Sequence, residues 1–160
     1  EKMMISGVAK DEKVARISII GVPDKPGLAF KIFSKLAAKN VNVDIILQSI
    51  GRNGTKDISF TVDQQNLKDT IELLSAYVEL IGASSVVYDE NVAKVSVVGA
   101  GMETHPGVAA DMFEALYEAN INITMISTSE IKISVLISKE DADKAVAVIH
   151  DKFFSEAIHA

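Results

Sequence analysis

The sequence predicts an α+β fold in which one βαββαβ unit occurs twice. Three observations carry this: an internal match at near-constant offset, β-branched runs closed by turn residues, and apolar stripes at helical spacing. Pro26-Gly27 recurs as Pro106-Gly107, Ala29 as Ala109 and Phe33 as Phe113, all at an offset of 80. Leu36 and Leu116, Asn40 and Asn120, Asn42 and Asn122, and Ser49 and Ser129 extend the match at the same offset. Upstream, Val14–Gly21 matches Val92–Gly99 at an offset of 78, and downstream Lys56–Val62 matches Ile131–Ile137 at 75. The offset changes only where turns are expected. That marks a structural duplication.

Each element of the first unit has a local reason. Val14–Gly21 is rich in β-branched residues and ends in Gly, as a strand followed by a turn does. Pro26-Gly27 opens a helix, with Pro in a first-turn position that needs no N–H. Ala29, Ile32, Phe33, Leu36 and Ala37 then form one apolar stripe. Asn40 ends the helix, since Asn accepts the left-handed conformation of a C-terminal cap. Val41–Ile50 reads as a second strand, Gly51-Arg-Asn-Gly54 as a hairpin turn and Lys56–Val62 as a third, alternating strand. Asn66 is placed to cap a helix through about Tyr77, with Leu67, Ile71, Leu74 and Val78 on its apolar side. Ser84–Tyr88 closes the unit as a fourth strand. The order βαββαβ is the ferredoxin-like arrangement of two helices on one face of an antiparallel sheet.

The second unit repeats this from Val92 through a helix at about 139–153, after which Phe154–Ala160 is a poor fourth strand. Met3–Ala9, by contrast, can alternate as one. A half-built sheet leaves an open edge, which is a liability. The expected domains are therefore 13–89 and 90–160, with residues 2–9 supplying the second domain's remaining strand. The first domain would then be inserted in the second. The other arrangement is an N-terminal tail from a partner domain.

Composition excludes several classes. The chain has 160 residues, 48% hydrophobic and 24% charged, with 16 Lys+Arg against 22 Asp+Glu and net charge −6. These are globular proportions. The acidic balance argues against a general nucleic-acid partner. No Cys is present, so disulfides, thiol catalysis and Cys-based zinc sites are out. No apolar run is long enough for a bilayer, and no signal peptide precedes the first strand, so the cytoplasm is expected and a membrane partner is not. The chain begins with Glu, as an excised piece of a longer protein would, or a separate subunit started at Met3 or Met4.

No catalytic or metal constellation stands out. His105, His150 and His159 fall in different elements with no nucleophile at triad-like spacing. Gly99-Ala-Gly101 falls short of a dinucleotide fingerprint, and no G-x-x-x-x-G-K-[ST] loop occurs. The binding signal lies in the strand-to-helix loop Asp24-Lys-Pro-Gly-Leu-Ala29, where backbone N–H groups at a helix N-terminus favour a carboxylate. Asp24 there either accepts an α-ammonium or caps the helix. Gly27 either admits a ligand to the backbone or only makes the turn. In the following strand Asp44 and Gln48 share one face by their even spacing. By themselves the two read either as ordinary surface or as a binding pair, in which a half-buried Asp44 would select a cationic side chain and Gln48 a hydroxyl or amide. The neighbouring helix N-terminus favours binding.

Several motifs together resemble one family. Asp24-Lys-Pro-Gly27, Asn40-Val-Asn42, Leu47-Gln48-Ser49, Val97-Val-Gly-Ala-Gly-Met102, His105-Pro-Gly107, Asn120-Ile-Asn122 and Ile126-Ser-Thr-Ser-Glu-Ile131 resemble the regulatory portion of aspartate kinase. This is a tandem ACT-domain region, found as the C-terminal part of the enzyme or as a separate regulatory subunit. The resemblance implies insertion of the first ACT unit in the second, and homodimers whose sheets join across a two-fold axis. It implies feedback inhibition by lysine, threonine or both, bound between facing units. Asp24, Gly27, Leu28, Ala29 and Gln48 of one chain would form the effector site, with amides after Gly27 on the carboxylate. Asn120, Asn122 and Ile123 of the paired unit would complete it. Asp44 would face a lysine ammonium, and Ser49 and Thr55 lie where changes relax inhibition. The second unit has Thr124 opposite Asp44, His105 opposite Lys25 and Thr104 in place of Asp24, so an equivalent second site is not implied. Ser129 and Glu130 read first as interface residues. ATP, magnesium and aspartate would belong to an absent catalytic domain or subunit, with no cofactor and no catalysis in this chain. The alternatives are an ACT-type scaffold that pairs subunits without a ligand and, more distantly, a small ferredoxin-like enzyme.

Overall fold

A computed structural model describes residues 4–100 and 105–155 of the chain. It divides into two compact units: Lys13–Glu90, and the residues up to Glu12 taken with those from Asn91 onward. The strands are β1 (Met4–Pro23), β2 (Ile46–Gln48), β3 (Thr55–Asp63), β4 (Ser85–Ala100), β5 (Met125–Thr128) and β6 (Lys132–Ser138). The helices are α1 (Leu28–Ala38), α2 (Leu67–Ile81), α3 (Gly107–Glu118) and α4 (Ala142–His150), the last widening into a π turn at Asp151–Ser155.

In the Lys13–Glu90 unit the strand order is β2-β3-β1-β4. β1 and β3 are antiparallel, with Ile17 opposite Phe60, and β2 pairs with β3 through Leu47 and Ser59. Alternation along β1 and β3 turns Ala15, Ile17, Ile19, Ile58, Phe60 and Val62 into one core with Ile32, Leu36, Leu74 and Val78 of the helices. Phe33 of α1 meets Phe60 edge to face at 5.5 Å. The predicted stripe of α1 buries Ile32 and Leu36, while Ala37 stays exposed. In α2 the stripe also takes in Thr70, fully buried with no hydrogen-bond partner for its hydroxyl. Gln64, in the 3-10 turn before α2, donates from Nε2 to the carbonyls of both Val14 and Glu90, each at 3.3 Å.

In the other unit the order is β1-β4-β6-β5. Val95 and Val97 of β4 and Ile133, Val135 and Ile137 of β6 face Val108, Met112, Leu116, Ala145 and Ile149. Ile5 and Val8 of β1 pack against this core, and Lys10 pairs with Asp143 of α4. On the sheet face away from the helices, each unit ties its strands by a serine pair at 2.7 Å, Ser18–Ser59 and Ser96–Ser134.

The two repeats end their first helix identically. Asn40 and Asn120 adopt left-handed backbone, φ 57 and 59. Val41 and Ile121 then donate to the carbonyls of Leu36 and Leu116 at 3.0 and 2.9 Å, the six-to-one bond of a Schellman motif. The hairpin at Arg52–Thr55 is a two-residue turn with positive φ at Asn53 and Gly54, as Asn-Gly predicts.

Four local expectations need correction. Gly21 does not end the first strand: it sits in a bulge at φ 69, its N–H bonded to Asp57 Oδ1 at 3.0 Å, and β1 continues to Pro23. The second strand is three residues, not Val41–Ile50, because Thr61 Oγ1 takes the Ile45 N–H and interrupts the regular ladder. Asn66 precedes α2 without a side-chain capping bond. Finally, Ser84–Tyr88 and Val92–Gly99 are one strand, β4. The charged Asp89 and Glu90 continue in extended backbone rather than breaking it. Residues 156–160 and 101–104 lie outside the described residues.

Candidate functional site

The corner between β1 and α1 gathers most of the residues singled out in the sequence. Gly27 stands immediately before α1 at φ 91, a left-handed conformation that L side chains rarely adopt, and a Cβ there would meet open space. Its need is conformational rather than steric. Pro26 lies two residues before Leu28, the first helical position, and so outside the first turn expected for it. The left-handed step turns the chain into the helix, whose opening amides at Leu28 and Ala29 have no partner earlier in the helix by geometry. Leu28 and Ala29 themselves are half-buried against the core.

Asp24 is not a helix cap: α1 has no side-chain capping bond. Its carboxylate instead pairs with Lys56 Nζ at 3.2 Å, and its N–H donates to the Gly54 carbonyl at 2.8 Å. It also lies against Gly51 so closely that a Cβ on that residue would collide with it. Lys56 and Gly51 were not foreseen as site residues. Asp24 lies far from both in sequence, and no motif links the three.

Gln48 is exposed on β2 opposite Ile58, and Ser49 follows it. Ser49 exchanges bonds with Asp57: its N–H donates to the Asp57 carbonyl at 3.0 Å, and its hydroxyl accepts the Asp57 N–H at 2.9 Å. Thr55 donates to the Arg52 carbonyl at 3.4 Å within the hairpin turn. Gln48, Ser49 and Asp24 therefore all hang on the first half of β3. Asp44 does not join them as predicted. It is exposed rather than half-buried and lies before β2, so strand alternation does not place it on the face of Gln48. Its N–H donates to the Thr61 carbonyl at 3.2 Å.

In the other unit the same corner is built differently. α3 starts at Gly107 directly after Pro106, whose φ of −63 is already helical. The hairpin after β5 is a tight turn in which Ser129 N–H donates to Lys132 O at 2.8 Å. A cavity of about 300 Å³ opens there, lined by His105, Pro106, Ala109, Ser129, Glu130 and Ile133 among others. Thr124, the counterpart of Asp44, donates its hydroxyl to the Leu136 carbonyl at 3.0 Å. Asn120 serves as the left-handed cap residue, Asn122 is exposed and Ile123 packs against the core. Thr104 lies outside the described residues. Among the described residues no three His, Asp or Glu side chains form a group suited to a metal ion, and no helix is long and apolar enough to cross a membrane.

Comparison with known proteins places this geometry. Residues 15–79 and residues 95–153 each match the ACT domain. The aspartokinase of Mycolicibacterium smegmatis is 48% identical over 155 residues, 96% of this chain but 37% of that protein. A crystal structure of aspartokinase alpha and beta subunits superposes with a TM-score of 0.87 at 50% identity, covering 93% of this chain and 98% of that one. The ligand-free regulatory subunit of aspartate kinase from Thermus thermophilus gives a TM-score of 0.89 at 38% identity, with coverage of 93% and 98%. The chain thus spans about 37% of the curated relative's length, yet nearly the whole of the separate regulatory subunit's.

Proposed function

The chain belongs to the tandem ACT-domain regulatory regions of aspartokinase, two ferredoxin-like domains distinct from the catalytic domain, and from that premise we propose that it is an effector sensor. The effector is an end-product amino acid, lysine, threonine or both. The domains run 13–89 and 90–160, with residues 2–9 completing the second. Two chains pair through their ACT domains, and the pair acts on an aspartate kinase catalytic domain or subunit that holds ATP and magnesium. The compartment is the cytoplasm.

One observation carries the reading. Asp24 is held on the exposed rim beside the left-handed Gly27, so a carboxylate and a helix N-terminus stand at the same corner. A zwitterion offers the complementary pair, its ammonium to Asp24 and its carboxylate to the amides of Leu28 and Ala29. Exposed Gln48 gives the side chain a hydrogen-bonding partner, and Asn120, Asn122 and Ile123 of the paired chain complete the enclosure. Asp44 would attract the ammonium of a lysine side chain, and Ser49 holds the hairpin that bears Gly51. Binding that is stronger in the inhibited arrangement shifts the population towards it.

A scaffold without a ligand draws support from one contact, since Asp24 already has a cationic partner in Lys56. Isothermal titration of the chain with lysine and with threonine, alongside light scattering, separates the readings. A sensor binds at least one of them, and Asp24→Ala weakens that binding by about tenfold or more while the dimer persists. No heat with either amino acid and no change of assembly leaves the scaffold.

A further inference from the structure

We infer that Lys56 and Gly51 are positioning residues for Asp24, the carboxylate that the sensor reading, on which this inference rests, assigns to the effector's ammonium. The hairpin between β2 and β3 holds Asp24 at three points. Gly54 accepts its N–H at 2.8 Å, Lys56 pairs with Oδ1 at 3.2 Å, and Gly51 leaves room for the carboxylate where any side chain would displace it. Gly51 is not among the left-handed glycines, so its requirement is space for Asp24 and not backbone freedom.

Lys56 is suited to this task by its strand position. Alternation along β3 puts it on the face of Ile58 and Phe60, so its stem runs along the edge of the core while the ammonium reaches outward. Its side chain is 19% exposed against 46% for Asp24, which makes the lysine the fixed partner. A freely exposed pair would contribute little. A residue already held through its N–H and its carboxylate, however, loses less freedom when a ligand arrives. The repeat supports the pairing from within the chain. Where the first unit has Asp24 and Lys56, the second has Thr104 and Ile131, so both charges are present together or absent together.

The test reads the clamp with and without an effector. Hydrogen exchange at the Asp24 amide is expected to rise by about fivefold or more in Lys56→Met and in Gly51→Ala, and to stay near the wild-type rate in Lys56→Arg. Titration with lysine and threonine is expected to show about three- to tenfold weaker binding in Lys56→Met and recovery in Lys56→Arg. Added to Asp24→Asn, Lys56→Met is expected to cost nothing further, because it acts through that carboxylate. Unchanged exchange in Lys56→Met, or a loss that adds fully to that of Asp24→Asn, overturns the inference. Faster exchange in a protein whose wild type binds neither amino acid keeps the clamp and removes the sensor reading.

Discussion

At the corner where each repeat passes from strand to first helix, the described residues of the two units are built differently. In Lys13–Glu90 a hairpin with an Asn53-Gly54 tip reaches the loop and grips Asp24. In the other unit the offset of the repeat falls from 80 to 75 across the hairpin, five residues are missing, and a cavity lies beside His105. The frame around these corners is the same: the Schellman ends at Asn40 and Asn120, the paired serines and the order of strands. Duplication has kept what the backbone requires and varied the corner proposed above to take an effector. The proposed effector site therefore lies in the loops that differ and not in the frame that repeats.

The largest expected break in the comparison lies in the cores. Phe60 is fully buried against Phe33, whereas its counterpart is Val135, also fully buried. Phe60→Ala should cost about 3–5 kcal/mol in chemical denaturation, and Val135→Ala clearly less, since fewer buried atoms are removed. Thr70 and Ala145, likewise equivalent, sharpen the comparison. Ala145→Thr brings a hydroxyl into a fully buried site and should cost about 1–3 kcal/mol, while Thr70→Ala, which removes an unpartnered hydroxyl, should be nearly neutral or stabilising. The smallest effect is expected where the units agree. Asn40→Ala and Asn120→Ala should each cost about 1 kcal/mol, and the Gly variants less, because only the left-handed backbone is at stake.

Features demanded by a local backbone conformation were legible in the sequence. Asn40, Asn120 and Asn53-Gly54 declare positive φ by residue type, and the apolar spacing of Ile32 and Leu36 declares the buried face of α1. Gly27 was legible as special, and its left-handed backbone is the conformation that both readings of it require. Contacts between distant positions were not legible. Nothing local in Asp24, Gly51 or Lys56 announces that they meet, and the capping role offered for Asp24 is replaced by that meeting. Ser84–Tyr88 and Val92–Gly99 read as separate strands because an exposed strand and a loop carry similar residues, as Asp89 and Glu90 do between them. Asp44 was misplaced for a related reason: the apolar run around it suggested a longer strand than Thr61 permits.

Gln64 bears on how such a chain reaches its fold. One amide touches the carbonyls of Val14 and Glu90, the entry and exit of the contiguous unit, which it closes like a clasp. The core shared by Ile5, Val8 and the residues after Asn91 joins segments about 80 positions apart, a high contact order that slows folding and carries a loop-closure cost. Once the contiguous unit has closed, that separation is bridged by folded protein and the long loop no longer has to be found by diffusion. Loss of the Gln64 bonds would therefore loosen the point where the chain enters and leaves the contiguous unit.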